Sequence, residues 1–230
     1  MPSGRKSLTQ EAKRGSPEVL MFKRSLGEAF LRVAGWKMDG ERPTEARYVI
    51  IAAPHTSNWD MPFMLAMAFV YDIPVRWMGK HTLFKRPFGA FFRRMGGIPI
   101  VRHRAGGVVE QMAEYFENEP SLVLMVPAEG TRSHVDYWKS GFYHIARSAD
   151  VPVCLSYLDF SKKVGGIGPM IRLTGDVRAD MDKIRAFYAG KEGFYPENVG
   201  QIRLREEDVE QYVEDGAEEL DVVERLASNL

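Results

Sequence analysis

His55 and Asp60 stand five positions apart in the run PHTSNWD, Pro54 to Asp60, directly after the apolar stretch YVIIAA. A histidine accepts a proton near neutral pH. A carboxylate beside it fixes its tautomer and steadies the charge it gains. The pair therefore has the composition of a general base with an orienting partner. Five residues along a regular helix is a rotation of about 500°, so the two side chains do not share a helix face. They meet only if His55 lies in a turn and Asp60 in the first turn of the next helix. Thr56, Ser57 and Asn58 are N-cap types, and MPFMLAMAFVY continues as an apolar helix with Pro62 early enough to be tolerated. A helix N-terminus also favours negative charge, on Asp60 or on a developing oxyanion.

A second cluster, VPAEGTRS from Val126 to Ser133, follows the apolar run SLVLMV. Gly130 lets backbone approach a ligand closely, so amides near Thr131 and Arg132 could cradle phosphate oxygens. Arg132 offers a bidentate fork to phosphate. Glu129, itself an anion, is read as orienting an arginine or a backbone amide. Between the two lies a basic and aromatic segment, Met78 to Arg104. Lys80, Lys85, Arg86, Arg93, Arg94, Arg102 and Arg104 alternate there with Leu83, Phe84, Phe88, Phe91 and Phe92. A basic helix with an aromatic face points to a membrane surface. Nucleic acid is the weaker partner for it, because the chain's formal net charge is zero.

The elements that must position these groups alternate. Strands are predicted at Arg47–Ala53, Val75–Met78, Ile98–Arg102, Leu122–Val126, Val151–Leu158 and Met170–Leu173. Helices are predicted over about 58–71, 82–94, 106–118, 139–149 and 180–189, and an amphipathic one from Pro17 to Lys37 with Phe22, Leu26, Phe30 and Val33 on one face. Such alternation argues for a single α/β domain, a mostly parallel or mixed sheet flanked by helices. The expected division is a disordered lead (1–16), an amphipathic N-terminal helix and turn (17–46), a core (47–175) and a helical extension packed on it (176–230). The last part ends in an acidic helix, Glu206 to Leu226.

Residues 176–230 carry fifteen acidic and seven basic side chains. The positive surplus therefore sits in the first three quarters, where an anionic partner would meet it. Cys154 is the only cysteine, so no intrachain disulfide forms, and its setting VPVCLSY predicts a buried structural thiol. No uncharged run approaches the roughly 18–20 residues that span a bilayer, and the N-terminus lacks a signal-peptide core. His55, His81, His103, His134 and His144 show no local metal-ligand spacing, and no G-x-S-x-G elbow is present.

Four blocks in this order resemble the phospholipid acyltransferase family, the relatives of bacterial 1-acyl-sn-glycerol-3-phosphate acyltransferase. His-x4-Asp is His55 to Asp60. The G-x-I-P-x-x-R segment runs from Gly96 to Arg102, after a K-x-x-L-F-x-x-P-F-G pattern from Lys80 to Gly89. E-G-T-R-S is Glu129 to Ser133, and K-x-G-x-x-x-I-A with V-P-V spans Lys139 to Val153. Two departures are visible: Ala128 separates Pro127 from Glu129, and Leu155 replaces a common second proline. The resemblance covers residues 47–175. It implies transfer of a fatty acyl group from acyl-CoA or acyl carrier protein to the hydroxyl of a lysophosphatidate-like acceptor in phospholipid biosynthesis. His55 would be the base and Asp60 its orienter. Arg102, Glu129, Gly130, Thr131 and Arg132, with Lys80 and Ser57, would bind substrate, and amides near Ser57 or Gly130 are candidate oxyanion donors. No metal and no cofactor beyond the acyl thioester are expected. The protein would sit peripherally on the inner face of a membrane. The alternatives are the same chemistry on a lysophospholipid, amino-acid lipid or sugar, and a non-catalytic lipid-binding protein.

Overall fold

A computed structural model describes residues 16–101 and 107–208. In chain order the elements are α1 (Pro17–Ala34), β1 (Lys37–Asp39), β2 (Arg47–Ala53), α2 (Asp60–Val70), β3 (Val75–Lys80), a 3-10 turn (His81–Phe84), α3 (Gly89–Arg94), β4 (Gly97–Ile100), α4 (Gly107–Asn118), β5 (Leu122–Pro127), α5 (Gly141–Ser148), β6 (Val153–Asp159), β7 (Val164–Ile171), α6 (Val177–Tyr188) and a second 3-10 turn (Pro196–Asn198). The expected lead, Arg102 and the acidic tail beyond Asp208 lie outside the described residues.

The strands form one mixed sheet in the order β1-β7-β6-β2-β5-β3-β4. From β6 to β4 every neighbouring pair is parallel. β7 runs antiparallel to β6, and β1 joins β7 in parallel. β2 lies in the middle, and from Tyr48 to Ala53 it is buried throughout. Val49, Ile51 and Ala53 face a core closed by α4, α5 and α6, with Met112, Phe116, Phe142, Ile145, Met181 and Ile184 at its centre. Tyr48 and Ile50 face the other way, with Ile73, Val123 and Cys154. That opposite face is covered by α2, whose Phe63, Ala66 and Met67 also meet Leu31 of α1. A strand apolar on both faces is what a sheet sandwiched between helices requires.

Parallel strands all end on the same edge. The C-terminal ends of β2, β5, β3 and β4 therefore bring His55, Glu129, Lys80 and Val101 to one rim, although they are scattered along the chain. This is where ligands enter open α/β sheets.

Two expectations need correction. The predicted helix over 82–94 is two pieces, a 3-10 turn that ends at Phe84 and α3 from Gly89, because the chain is extended at Lys85. The last strand begins at Val164 instead of Met170; Gly165, Gly166, Gly168 and Pro169 disguise it as a loop. Gly166 is there because a Cβ would sit 1.9 Å from the Asp39 carbonyl oxygen of β1. β1 itself, three residues long, carries too little pattern to read. α1 carries the expected apolar stripe on its outer side. Its packed face is Gly27 and Leu31, with Gly27 so close to α2 that a Cβ would lie 2.6 Å from the Ala66 carbonyl oxygen. Phe22, Leu26 and Val33 consequently point outward and are exposed, and Phe30, though exposed, keeps its ring 5.2 Å from that of Phe63 on α2.

Candidate active site

Asp60 opens α2 and is fully buried. Its Oδ2 accepts from the backbone N–H of Thr56 at 2.9 Å and of Ser57 at 3.0 Å, and His55 Nδ1 lies 2.9 Å from the same oxygen. A carboxylate oxygen held by two amides offers only acceptance, so Nδ1 donates to it. The proton on Nδ1 leaves the lone pair on Nε2, the tautomer a general base needs. The His55 side chain retains 20% exposure while that of Asp60 has 1%. The carboxylate is thus sealed and the imidazole is reachable. The N-cap expectation changes form: α2 starts after Trp59 with no side-chain cap. Instead the carboxylate of the first helical residue reaches back to the amides of the turn. Ser57 Oγ accepts from the Trp59 N–H at 3.1 Å.

Glu129 ties the second motif to the first. It is 2% exposed, and its Oε1 accepts from the His55 backbone N–H at 3.0 Å across the β2–β5 pair. Burial places it beneath the rim, where it clamps the backbone of His55. Burial lifts the Glu129 carboxyl above its ordinary value of 4.5, the His55 amide opposes this, and the Asp60 charge adds to it. Asp60 Oδ1 and Glu129 Oε2 are both buried without a partner among the described residues.

Gly130 takes a left-handed φ of +68° and the Lys139 stem lies against it, 2.9 Å from where a Cβ would be. Thr131 and Arg132 follow on the surface. Lys80, at the end of β3, is exposed on the same edge. The structure therefore gathers His55, Asp60, Ser57, Lys80 and Glu129–Arg132 at one rim. The two candidate oxyanion amides are already used, that of Ser57 by Asp60 and that of Gly130 by the Pro127 carbonyl at 3.1 Å. Ser57 is buried too and serves the turn, not the surface. The sequence reading overlooked Thr56. Its side chain is buried, and its Oγ1 accepts from the Tyr195 N–H at 3.0 Å. Only the turn-forming string GFYP marks that distant partner in the sequence.

The sequence profile described as Acyltransferase matches residues 36–155, more than half of the chain, and includes all of these rim positions. The chain belongs to the acyltransferase family. The crystal structure of the 1-acyl-sn-glycerophosphate (LPA) acyltransferase PlsC from Thermotoga maritima is similar in fold. Its TM-score is 0.50 and its sequence identity 18%, over 74% of this chain and 76% of that one. No curated protein matches the chain in sequence.

In this acyltransferase Cys154 is no rival nucleophile. It is fully buried in β6, and burial pushes its thiol up to about 12. Glu129 yields a pH signature. A carboxyl whose folded-state pKa is raised contributes stability below its ordinary value and loses it as pH rises through the raised one. Glu129→Gln keeps the acceptor for the His55 amide and removes the titration. Melting temperatures of the two proteins should diverge in favour of the glutamine variant as pH climbs above 4.5, then run parallel. A difference that stays constant across the acid range would refute the assignment.

Proposed function

We propose that this acyltransferase moves a fatty acyl group from a thioester, acyl-CoA or acyl carrier protein, to the hydroxyl of a lysophosphatidate-like acceptor in phospholipid synthesis. The observation that carries the reading is the 2.9 Å contact between His55 Nδ1 and Asp60 Oδ2, with the carboxylate buried and the imidazole reachable. His55 Nε2 takes the acceptor's hydroxyl proton as that oxygen attacks the thioester carbonyl. The tetrahedral intermediate collapses with cleavage of the C–S bond, and His55 returns its proton to the departing thiolate. Asp60 holds the tautomer and steadies the imidazolium between the two steps, as in the serine hydrolase triad with the substrate hydroxyl in place of serine. No enzyme-bound acyl group and no cofactor other than the donor are needed.

The acceptor phosphate is assigned to Arg132 and Lys80, with Arg102, which lies outside the described residues, kept from the sequence motif. The two carboxylates lie buried under the same edge while Arg132 and Lys80 are exposed on it, so an anionic headgroup meets cations first. Membrane contact is part of the proposal. Among the described residues no helix is long and apolar enough to cross a bilayer. Exposed apolar side chains nevertheless occur on α1 (Met21, Phe22, Leu26), at the start of α2 (Trp59, Met61) and on the 83–95 segment (Leu83, Phe88, Phe91). Lys23, Lys85, Arg86 and Arg94 lie among them and are exposed. A surface that combines apolar insertion with positive charge suits a peripheral protein on an anionic leaflet.

His55→Ala should abolish transfer from radiolabelled acyl-CoA to lysophosphatidate while the protein stays folded; retained turnover would sink the mechanism. Arg132→Ala should raise the acceptor KM, by about tenfold for one lost charge-assisted contact of roughly 1.5 kcal/mol. A fall in kcat at constant KM would instead assign Arg132 to the transition state. The protein should co-sediment with vesicles containing anionic phospholipid at low salt and detach as salt rises. Equal recovery with neutral vesicles would remove the electrostatic part of the membrane reading.

A further inference from the structure

The residues matched to the family end at 155, yet the chain returns to the active-site edge beyond them. After α6, residues 189–203 run across the C-terminal ends of the strands, held by hydrogen bonds at five places. Lys162 Nζ donates to the Gly190 carbonyl at 3.1 Å. The Phe160 N–H, just past β6, donates to the Glu192 carbonyl at 2.9 Å. The Tyr195 N–H donates to Thr56 Oγ1 at 3.0 Å. Gln201 N–H then donates to the Val135 carbonyl at 3.2 Å, and Trp138 N–H to the Arg203 carbonyl at 2.8 Å. One run of chain therefore grips both the His55–Asp60 turn and the segment that follows Glu129–Ser133.

The grip on the turn is tight. Gly193 is seated so that a Cβ would meet Thr56 Oγ1 at 2.6 Å, Thr56 Cγ2 at 2.9 Å and Pro54 Cβ at 3.3 Å. Aromatic contacts hold the strap down. Phe194 packs edge-on against Phe160, centroids 5.1 Å apart, and Phe160 against Trp36 at 4.8 Å. Thr56 sits between two partners: its side chain takes the strap's N–H while its own N–H is spent on Asp60 Oδ2. A displaced Thr56 would pull a donor from the carboxylate that orients His55.

We infer that Gly193 and Tyr195 are positioning residues for the His55–Asp60 pair, acting through Thr56, so that the strap beyond the family core is part of the active site. The inference rests on His55 being the base of acyl transfer. It predicts a loss in the chemical step and not in binding, since displacements of about 1 Å cost on the order of 10²-fold in rate.

Gly193→Ala is the test, because the new methyl group has no room beside Thr56. Its kcat should fall by about 10²-fold with both KM values within about twofold. The low-field NMR resonance of the His55 Nδ1 proton should move or broaden. Gly193→Ala/Thr56→Ala, which removes the two atoms the methyl would strike, should recover most of the loss. Thr56→Val adds no bulk but takes away the acceptor for the Tyr195 N–H. It should lower kcat several-fold, and it keeps the test alive if the alanine variant does not fold. Wild-type kcat in all three variants, or a loss that follows only the folded fraction with no recovery in the double variant, would overturn the inference. A His55→Ala enzyme that still turns over would overturn the base assignment instead. The resonance in Gly193→Ala would then still report whether the strap sets the geometry of the pair.

Discussion

Everything at the active-site edge depends on one buried oxygen. Asp60 Oδ2 gathers the His55 imidazole and the amides of Thr56 and Ser57 within a fully buried setting. A carboxylate in such a place is tolerable only when donors surround it. Here the donors come from the turn that carries His55. Satisfying that oxygen and shaping the turn are therefore one event. The position of Asp60 at the start of α2 adds the favourable field of the helix N-terminus.

The rest of the fold supplies the frame for that event. β2 is packed by apolar layers on both faces, so the point where it ends is fixed from two sides. Its parallel neighbour β5 ends beside it, and Glu129 reaches over to the backbone of His55. Two buried carboxyls thus brace the residue between them, one through its ring and one through its amide. The raised Glu129 carboxyl reflects the cost of that arrangement, and the Asp60 charge makes protonation of Glu129 easier still. Negative charge is kept underneath, while Arg132 and Lys80 stay exposed above.

Much of this was legible because the pattern is local. YVIIAA is a run only a buried strand explains, and His55 and Asp60 come together through a turn whose length the sequence displays. Cys154 lay in an apolar context that predicts burial, and it is buried. What was missed outside the break in the 82–94 helix shares a physical cause, which is that contacts made by glycine leave no side chain to read. Gly166 lets β1 approach β7, Gly27 lets α1 approach α2, and Gly193 lets the strap approach Thr56. Each is a close backbone approach between segments distant in sequence, and each misled or silenced the pattern. The apolar stripe of α1 is instructive: the amphipathic pattern read from the sequence is present, yet Phe22 and Leu26 stay exposed while Gly27 and Leu31 form the packed face.

That preference bears on how the outer surface is composed. Burying Phe22, Leu26 and Phe30 against α2 would remove more apolar area from water than seating Gly27 and Leu31 there. The isolated domain therefore leaves a hydrophobic gain unclaimed. Single exposed apolar residues need no explanation, but several on one helix with more on neighbouring elements do. Trp59 and Met61 extend the exposed apolar surface to within a few residues of His55 itself. A substrate whose acyl chains stay in a bilayer would meet the base most directly if that surface faced the lipid. The membrane reading and the acyl-transfer reading then require the same orientation of the molecule, because the residues that would touch lipid begin where the His55–Asp60 turn ends.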